Sequence, residues 1–134
     1  MTDILVNRER VELLCAALES GEYLQGQMCL HVKNQRHDVW CCLGVAGDVA
    51  ARNGADISRR WDGVMEYIDS SGSVLGPSVR RWYGFADANP SLLGPDGEWR
   101  TAIRLNDGGE MNAPVGFTEI AAAFRRTFLE QSRE

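Results

Sequence analysis

The sequence predicts an α+β fold, a single compact domain over 1–134 with three to four helices packed on a small antiparallel sheet. Three observations predict it. Val11, Leu14, Cys15 and Leu18 recur at i, i+3, i+4 and i+7, the spacing of one apolar helix face. The runs 28–33 and 38–41 flank the polar stretch Asn34-Gln35-Arg36-His37, which reads as a β-hairpin. The second run passes directly into 42–51, where Leu43, Ala46, Val49 and Ala50 share a helical face whose small residues allow close packing.

In chain order, Asn7 is a good N-cap for the first helix, with Glu9 and Glu12 in its first turns and Gly21 as its stop. The hairpin and the small-residue helix follow, and Asn53-Gly54 ends that helix. The segment 61–69 reads as a strand, 70–73 as a turn and Val74-Leu75 as a short return. Pro77 suits the first turn of a brief helix over 78–83, closed by Gly84. The stretch 85–98 carries Asn89-Pro90 and Gly94-Pro95-Asp96-Gly97 and reads as loop with a tight turn. The segment 99–105 reads as a strand and Asn106-Asp107-Gly108-Gly109 as a turn. A last helix runs from an N-cap at Thr118 to about Gln131, with Phe117, Ile120, Ala121, Phe124 and Phe128 on one face.

Composition narrows the function classes. Hydrophobic residues at 44% and charged residues at 25% exclude a disordered chain. No apolar run approaches the roughly 18 residues of a membrane span, and the first residues lack the basic start and apolar core of an export signal, so a cytoplasmic protein is expected. Four cysteines in a reducing compartment are expected to be free thiols. The net charge of −5 disfavours general nucleic-acid binding. The pairs Arg59-Arg60, Arg80-Arg81 and Arg125-Arg126 read first as solvated surface and second as a local basic patch.

Several motifs together resemble a family of small proteins of unknown function found in bacteriophage and bacterial genomes. They are Gly21-Glu22-Tyr23-Leu24-Gln25-Gly26, then Trp40-Cys41-Cys42-Leu43-Gly44-Val45 with Asp48 on the helix that follows. Gly76-Pro77-Ser78-Val79-Arg80-Arg81-Trp82-Tyr83-Gly84-Phe85 is similar to the family's short helix. Leu105-Asn106-Asp107, with Gly116-Phe117-Thr118-Glu119-Ile120-Ala121, is similar to its C-terminal signature. The likeness spans 18–128. It departs at Gly47, where the family pattern implies a cysteine, and at an inserted stretch over 111–115. It implies a phage-type accessory protein and no established activity.

Three constellations could carry chemistry. Cys42, at a strand-to-helix junction, has the placement of a nucleophile, with His31 as the candidate base. The opposing reading packs Cys41 and Cys42 in the core. Cys29, His31, His37 and Cys41 or Cys42 are zinc-ligand types, but no C-x₂-C pair is present and the spacing does not suit a finger. Gln25, Asn106, Asp107 and Asp48 lie near aromatic side chains, among them Trp40 and Trp61. Amides, carboxylates and indoles together can stack a flat ring and read its edge; the same residue types also close turns and fill cores.

The leading expectation is a non-enzymatic protein that binds a small polar, nucleotide-like ligand, as in sequestering a host defence signal. Its ligand residues are Gln25, Trp40, Asp48, Trp61, Asn106 and Asp107, with no cofactor, no metal and no membrane partner. A protein-binding inhibitor of a host factor and a thiol-dependent enzyme using Cys42 and His31 are the alternatives. A homodimer is the default assembly.

Overall fold

The structure, a computed structural model, describes residues 6–34, 37–109 and 113–130. The first five residues, the turn residues Gln35 and Arg36, Met111 and Asn112 of the inserted stretch, and Gln131 at the expected helix end lie outside the described residues. The described chain has the expected α+β class, with five α-helices, a mixed five-stranded sheet and a two-stranded sheet.

Helix α1 spans Arg8–Glu19. Asn7 caps it, its side-chain oxygen accepting the Arg10 N–H at 3.1 Å. The stripe Val11, Leu14, Cys15 and Leu18 is buried as its spacing predicts, and α1 packs on α2 and α5.

The large sheet is ordered β1-β3-β2-β5-β4. Its strands are β1 Leu24–Gln25, β2 His31–Asn34, β3 His37–Trp40, β4 Arg59–Asp62 and β5 Met65–Ile68. The predicted hairpin is β2–β3. The sheet is not wholly antiparallel. The chain crosses over between β1 and β2, so β1 lies on the far side of β3 and parallel to it, and the Gly26 N–H extends that ladder to the Trp40 carbonyl at 2.7 Å. The stretch 61–69 is not one strand. Gly63, at φ +66, turns the chain back on itself between β4 and β5.

Helix α2, Cys42–Arg52, is the centre of the molecule, with every residue from Cys42 to Ala50 buried. A side chain at Gly44 would place its Cβ 1.8 Å from the Leu30 carbonyl oxygen, so glycine alone lets α2 approach the start of β2. At Gly47 the neighbour is Ile68, whose methyl group would lie 2.9 Å from an added Cβ. Ile68 therefore fills the space that the family's cysteine side chain would need.

Helix α3, Pro77–Tyr83, ends at Gly84 with φ +86, as expected. The expected loop over 85–98 contains strand β6, Ser91–Leu93, which pairs with β7, Trp99–Thr101. The run 99–105 leaves the sheet early. The Thr101 hydroxyl accepts the Arg104 N–H at 3.2 Å and starts helix α4, Ala102–Asp107. Asn106 and Asp107 therefore close a helix and do not form a turn after a strand. Helix α5, Phe117–Phe124, has its N-cap at Gly116, two residues earlier than the predicted Thr118 cap, and continues as a π-helical segment over Arg125–Glu130. Among the described residues, no helix is long and apolar enough to cross a membrane.

Candidate functional site

The predicted site residues fall into two groups. Trp40 and Trp61 share with His31 the sheet face that meets α2, and Asp48 on α2 is joined to that face through Arg59. Gln25, Asn106 and Asp107 gather at the N-terminal end of α2.

Strand alternation builds the first group. Cross-strand partners share a face, and the register pairs His31 with Trp40 and with Glu66, and Glu66 with Trp61. The His31 ring lies flat on Trp40, with centroids 3.5 Å apart and planes 8° from parallel, and Trp61 meets it edge-on at 4.9 Å. His31 Nδ1 is 2.6 Å from Glu66 Oε1, and Nε2 is 3.3 Å from Asp38 Oδ1. Both ring nitrogens thus face carboxylate oxygens, and the ring orientation is set by the Glu66 contact at Nδ1 and by the stack on Trp40.

Arg59 joins this strand group to α2. Its Nε donates to Glu66 Oε2 at 2.7 Å and its Nη1 to Asp48 Oδ1 at 2.8 Å. The other Asp48 oxygen accepts the Tyr23 hydroxyl at 2.5 Å and lies 3.1 Å from Arg52 Nε, one turn along α2. Burial, then the bond from its hydroxyl to Asp48, pushes the Tyr23 phenol well above its usual range. Asp48, Glu66 and His31 are each less than one-tenth exposed. A continuous chain of ionisable groups, Tyr23–Asp48–Arg59–Glu66–His31–Asp38, therefore runs from helix to sheet edge. Its last member, Asp38, has its side chain 52% exposed.

Asp38 stands on the wall of a cleft of about 340 Å³ between the start of β1, β3 and the end of α2. Tyr23, Leu24 and Trp40 supply its aromatic and aliphatic lining, and Glu22, His37 and Arg52 join Asp38 as its polar lining. The volume lies at the lower end for small-molecule sites. The lining carries two carboxylates, Glu22 and Asp38, and the guanidinium of Arg52.

The second group serves the fold. Asn106 is fully buried. Its side-chain oxygen accepts the Cys42 N–H at 3.0 Å and Gln25 Nε2 at 3.2 Å. Its amide nitrogen donates to the Gly26 carbonyl at 2.8 Å and to Asp107 Oδ1 at 2.9 Å. Asp107 also accepts the Met28 N–H at 3.1 Å, and Gln25 donates to the Val115 carbonyl at 2.8 Å. These groups cap α2 and hold the 25–28 loop and the 113–116 segment against it. The expected role of Asn106 in reading a ligand edge gives way to this one, because its hydrogen-bonding atoms are sealed and occupied.

Cys42 is also sealed. It is fully buried, its sulfur lies 3.7 Å from the Ala102 carbonyl oxygen, and burial holds its thiol well above the usual value near 9. A reactive cysteine needs the opposite environment, electropositive and accessible. His31, the candidate base, directs its nitrogens to Glu66 and Asp38, and the nucleophile pair expected as an alternative does not assemble. All four cysteines are free thiols. Among the described residues no group of three or more His, Cys, Asp or Glu is arranged to hold a metal ion.

Sequence reasoning gave no ligand-site role to Tyr23, Asp38, Arg52, Arg59 or Glu66. Glu66 had a signal: it shares the strand face of buried Ile68, two residues on, so its carboxylate enters the interior and needs a cation there. Arg59 is that cation.

The molecule is thus an α+β protein whose buried ionic chain backs a polar cleft. It belongs to the family of a domain of unknown function, DUF8296, which matches residues 6–127. No curated protein and no solved structure matches the chain.

Proposed function

We propose that this protein binds a small polar ligand of nucleotide-like build in the Asp38–Trp40 cleft, and holds it without turning it over. The observation that carries the reading is the buried ionic chain that emerges at the cleft wall on Asp38. Burying such groups costs several kcal/mol each before pairing, and an apolar replacement of similar volume is often as stable or more so. A chain of this kind has a use when its end must be held rigidly against a ligand. Asp38 and Glu22 accept from ligand hydroxyls, and Arg52, with its side chain 65% exposed, offers its guanidinium fork to an anionic group. Trp40 and Leu24 supply the apolar contact for a ring. The inaccessibility of Cys42 supports binding over covalent chemistry. With the resemblance to small phage and bacterial proteins, the reading is of a cytoplasmic phage-type accessory protein that sequesters a small host signal.

Thermal unfolding against a panel of nucleosides, linear nucleotides and cyclic nucleotides tests this, because a ligand that binds only the native state raises the melting temperature by mass action. At least one compound is expected to raise it, with a smaller rise for Asp38→Asn and Arg52→Ala. The proposal fails if no compound raises it, or if both variants respond like the parent protein.

A further inference from the structure

Strand β4 is an edge of the five-stranded sheet, and all four of its residues, Arg59, Arg60, Trp61 and Asp62, are exposed. Natural edge strands are usually shielded, since their free backbone groups template pairing. Here a tryptophan, 45% exposed, sits in the middle of the edge. Hydrogen-bond alternation settles which groups face outward. The Asp69 N–H donates to the Ser58 carbonyl at 2.7 Å, and the β4–β5 register continues that ladder through Arg60↔Tyr67 and Asp62↔Met65. Arg60 and Asp62 therefore turn their backbone N–H and C=O inward to β5, and Arg59 and Trp61 turn theirs to the open edge.

We infer that the open edge of β4 pairs antiparallel with β4 of a second copy of this chain, about a two-fold axis at Trp61. Two constraints select that register. In an antiparallel ladder both members of a pair must face the partner strand or both face away, which excludes axes between residues. An axis at Arg60 would set Arg60 opposite the partner's Arg60, a like-charge pair that is destabilising, and the same like-charge argument excludes axes at Arg59 and Asp62. An axis at Trp61 sets Trp61 opposite the partner's Trp61, with N–H and C=O exchanged both ways, and sets Arg60 opposite the partner's Asp62 and Asp62 opposite the partner's Arg60. The charges are available. Among the described residues no cation pairs with Asp62, and Arg60 is engaged only over the Tyr67 ring, 4.6 Å from its centroid. The two-fold repetition of one self-complementary strand is the geometry of a closed dimer. It joins the two five-stranded sheets into one and brings the partner's Trp61 onto the sheet face that carries His31 and Trp40.

Sedimentation equilibrium of the full chain, with a charge exchange, tests the pairing. The parent protein is expected to show a concentration-dependent dimer that weakens with added salt. Arg60→Asp alone and Asp62→Arg alone each place like charges opposite one another, and each is expected to be monomeric with an unchanged circular dichroism spectrum. Mixed in equal amounts, the two variants restore both opposite-charge pairs and are expected to sediment as a heterodimer. A parent protein that is monomeric throughout overturns the inference and leaves the edge to a strand from another protein. A dimer that neither single change dissociates, or a mixture that stays monomeric, overturns it as well.

Discussion

The side-chain oxygen of Asn106 accepts the backbone N–H of Cys42, 64 positions away in sequence, at 3.0 Å. That bond joins the last turn of α4 to the first residue of α2, where a helix N–H has no partner within its own helix. Because Cys42 is fully buried, water cannot replace the acceptor. Asn106→Ala is expected to destabilise by about 1–3 kcal/mol for each buried group it leaves unsatisfied. Asp107→Ala, at a half-buried position, is expected to cost less. Urea unfolding of both variants checks the order, read as a lower midpoint at unchanged slope.

Arg59 stands between two carboxylates that are both inside the protein, Asp48 and Glu66. Removing it leaves both without their shared cation, and Arg59→Ala is expected to cost about 3 kcal/mol or more. Arg59→Lys keeps the charge and loses the fork that reaches Glu66 and Asp48 together, so it is expected to recover only part of the loss. Chemical denaturation at neutral pH separates the two variants. Equal stability of Arg59→Ala and the parent protein would remove the energetic basis of the ionic chain.

The four thiols are expected to differ in reactivity. Burial raises the Cys41 thiol to about 11 and the Cys15 thiol to about 12, from a usual value near 9, and Cys42 is held higher still than that usual value. Only Cys29 is partly exposed. Alkylation of the native protein at mildly alkaline pH, read by mass spectrometry, is expected to label Cys29 first and the other three only on unfolding. The linkage has a definite sign. The unfolded thiols lose their protons near pH 9 while the folded ones keep theirs, so this contribution to stability is full below about pH 9. It is lost as pH rises through about 11 to 12. Cys41→Ala is expected to flatten the alkaline decline in unfolding free energy relative to the parent protein.

Local signals explain what the sequence made legible. The α1 stripe, the β2–β3 hairpin and the small-residue face of α2 are patterns within a dozen residues, and tertiary packing agrees with each. The β4–β5 hairpin was missed although Asp62-Gly63 is a turn dipeptide, because Trp61 to Ile68 is rich enough in strand formers to read as one run. Helix α4 was missed because Trp99, Arg100 and Thr101 do form a strand, and the switch at Ala102 depends on the Thr101 cap. For the site, His31, Trp40, Asp48 and Trp61 were visible as chemical types in unusual places. Their assembly was not, because it rests on the β2–β5 pairing and on Arg59 reaching across to α2. Asn106 and Asp107 were noticed for their polar chemistry, but only the long-range bond to Cys42 reveals that this chemistry is spent on the fold.

The central claim, a ligand held in the Asp38–Trp40 cleft, is tested most directly by native mass spectrometry of protein isolated from the cells that naturally produce it. The account predicts a species heavier than the polypeptide by one small molecule per chain, absent or much reduced for Asp38→Asn and Arg52→Ala isolated in the same way. The bare polypeptide mass alone, unchanged after incubation with the nucleoside and nucleotide panel, would contradict it.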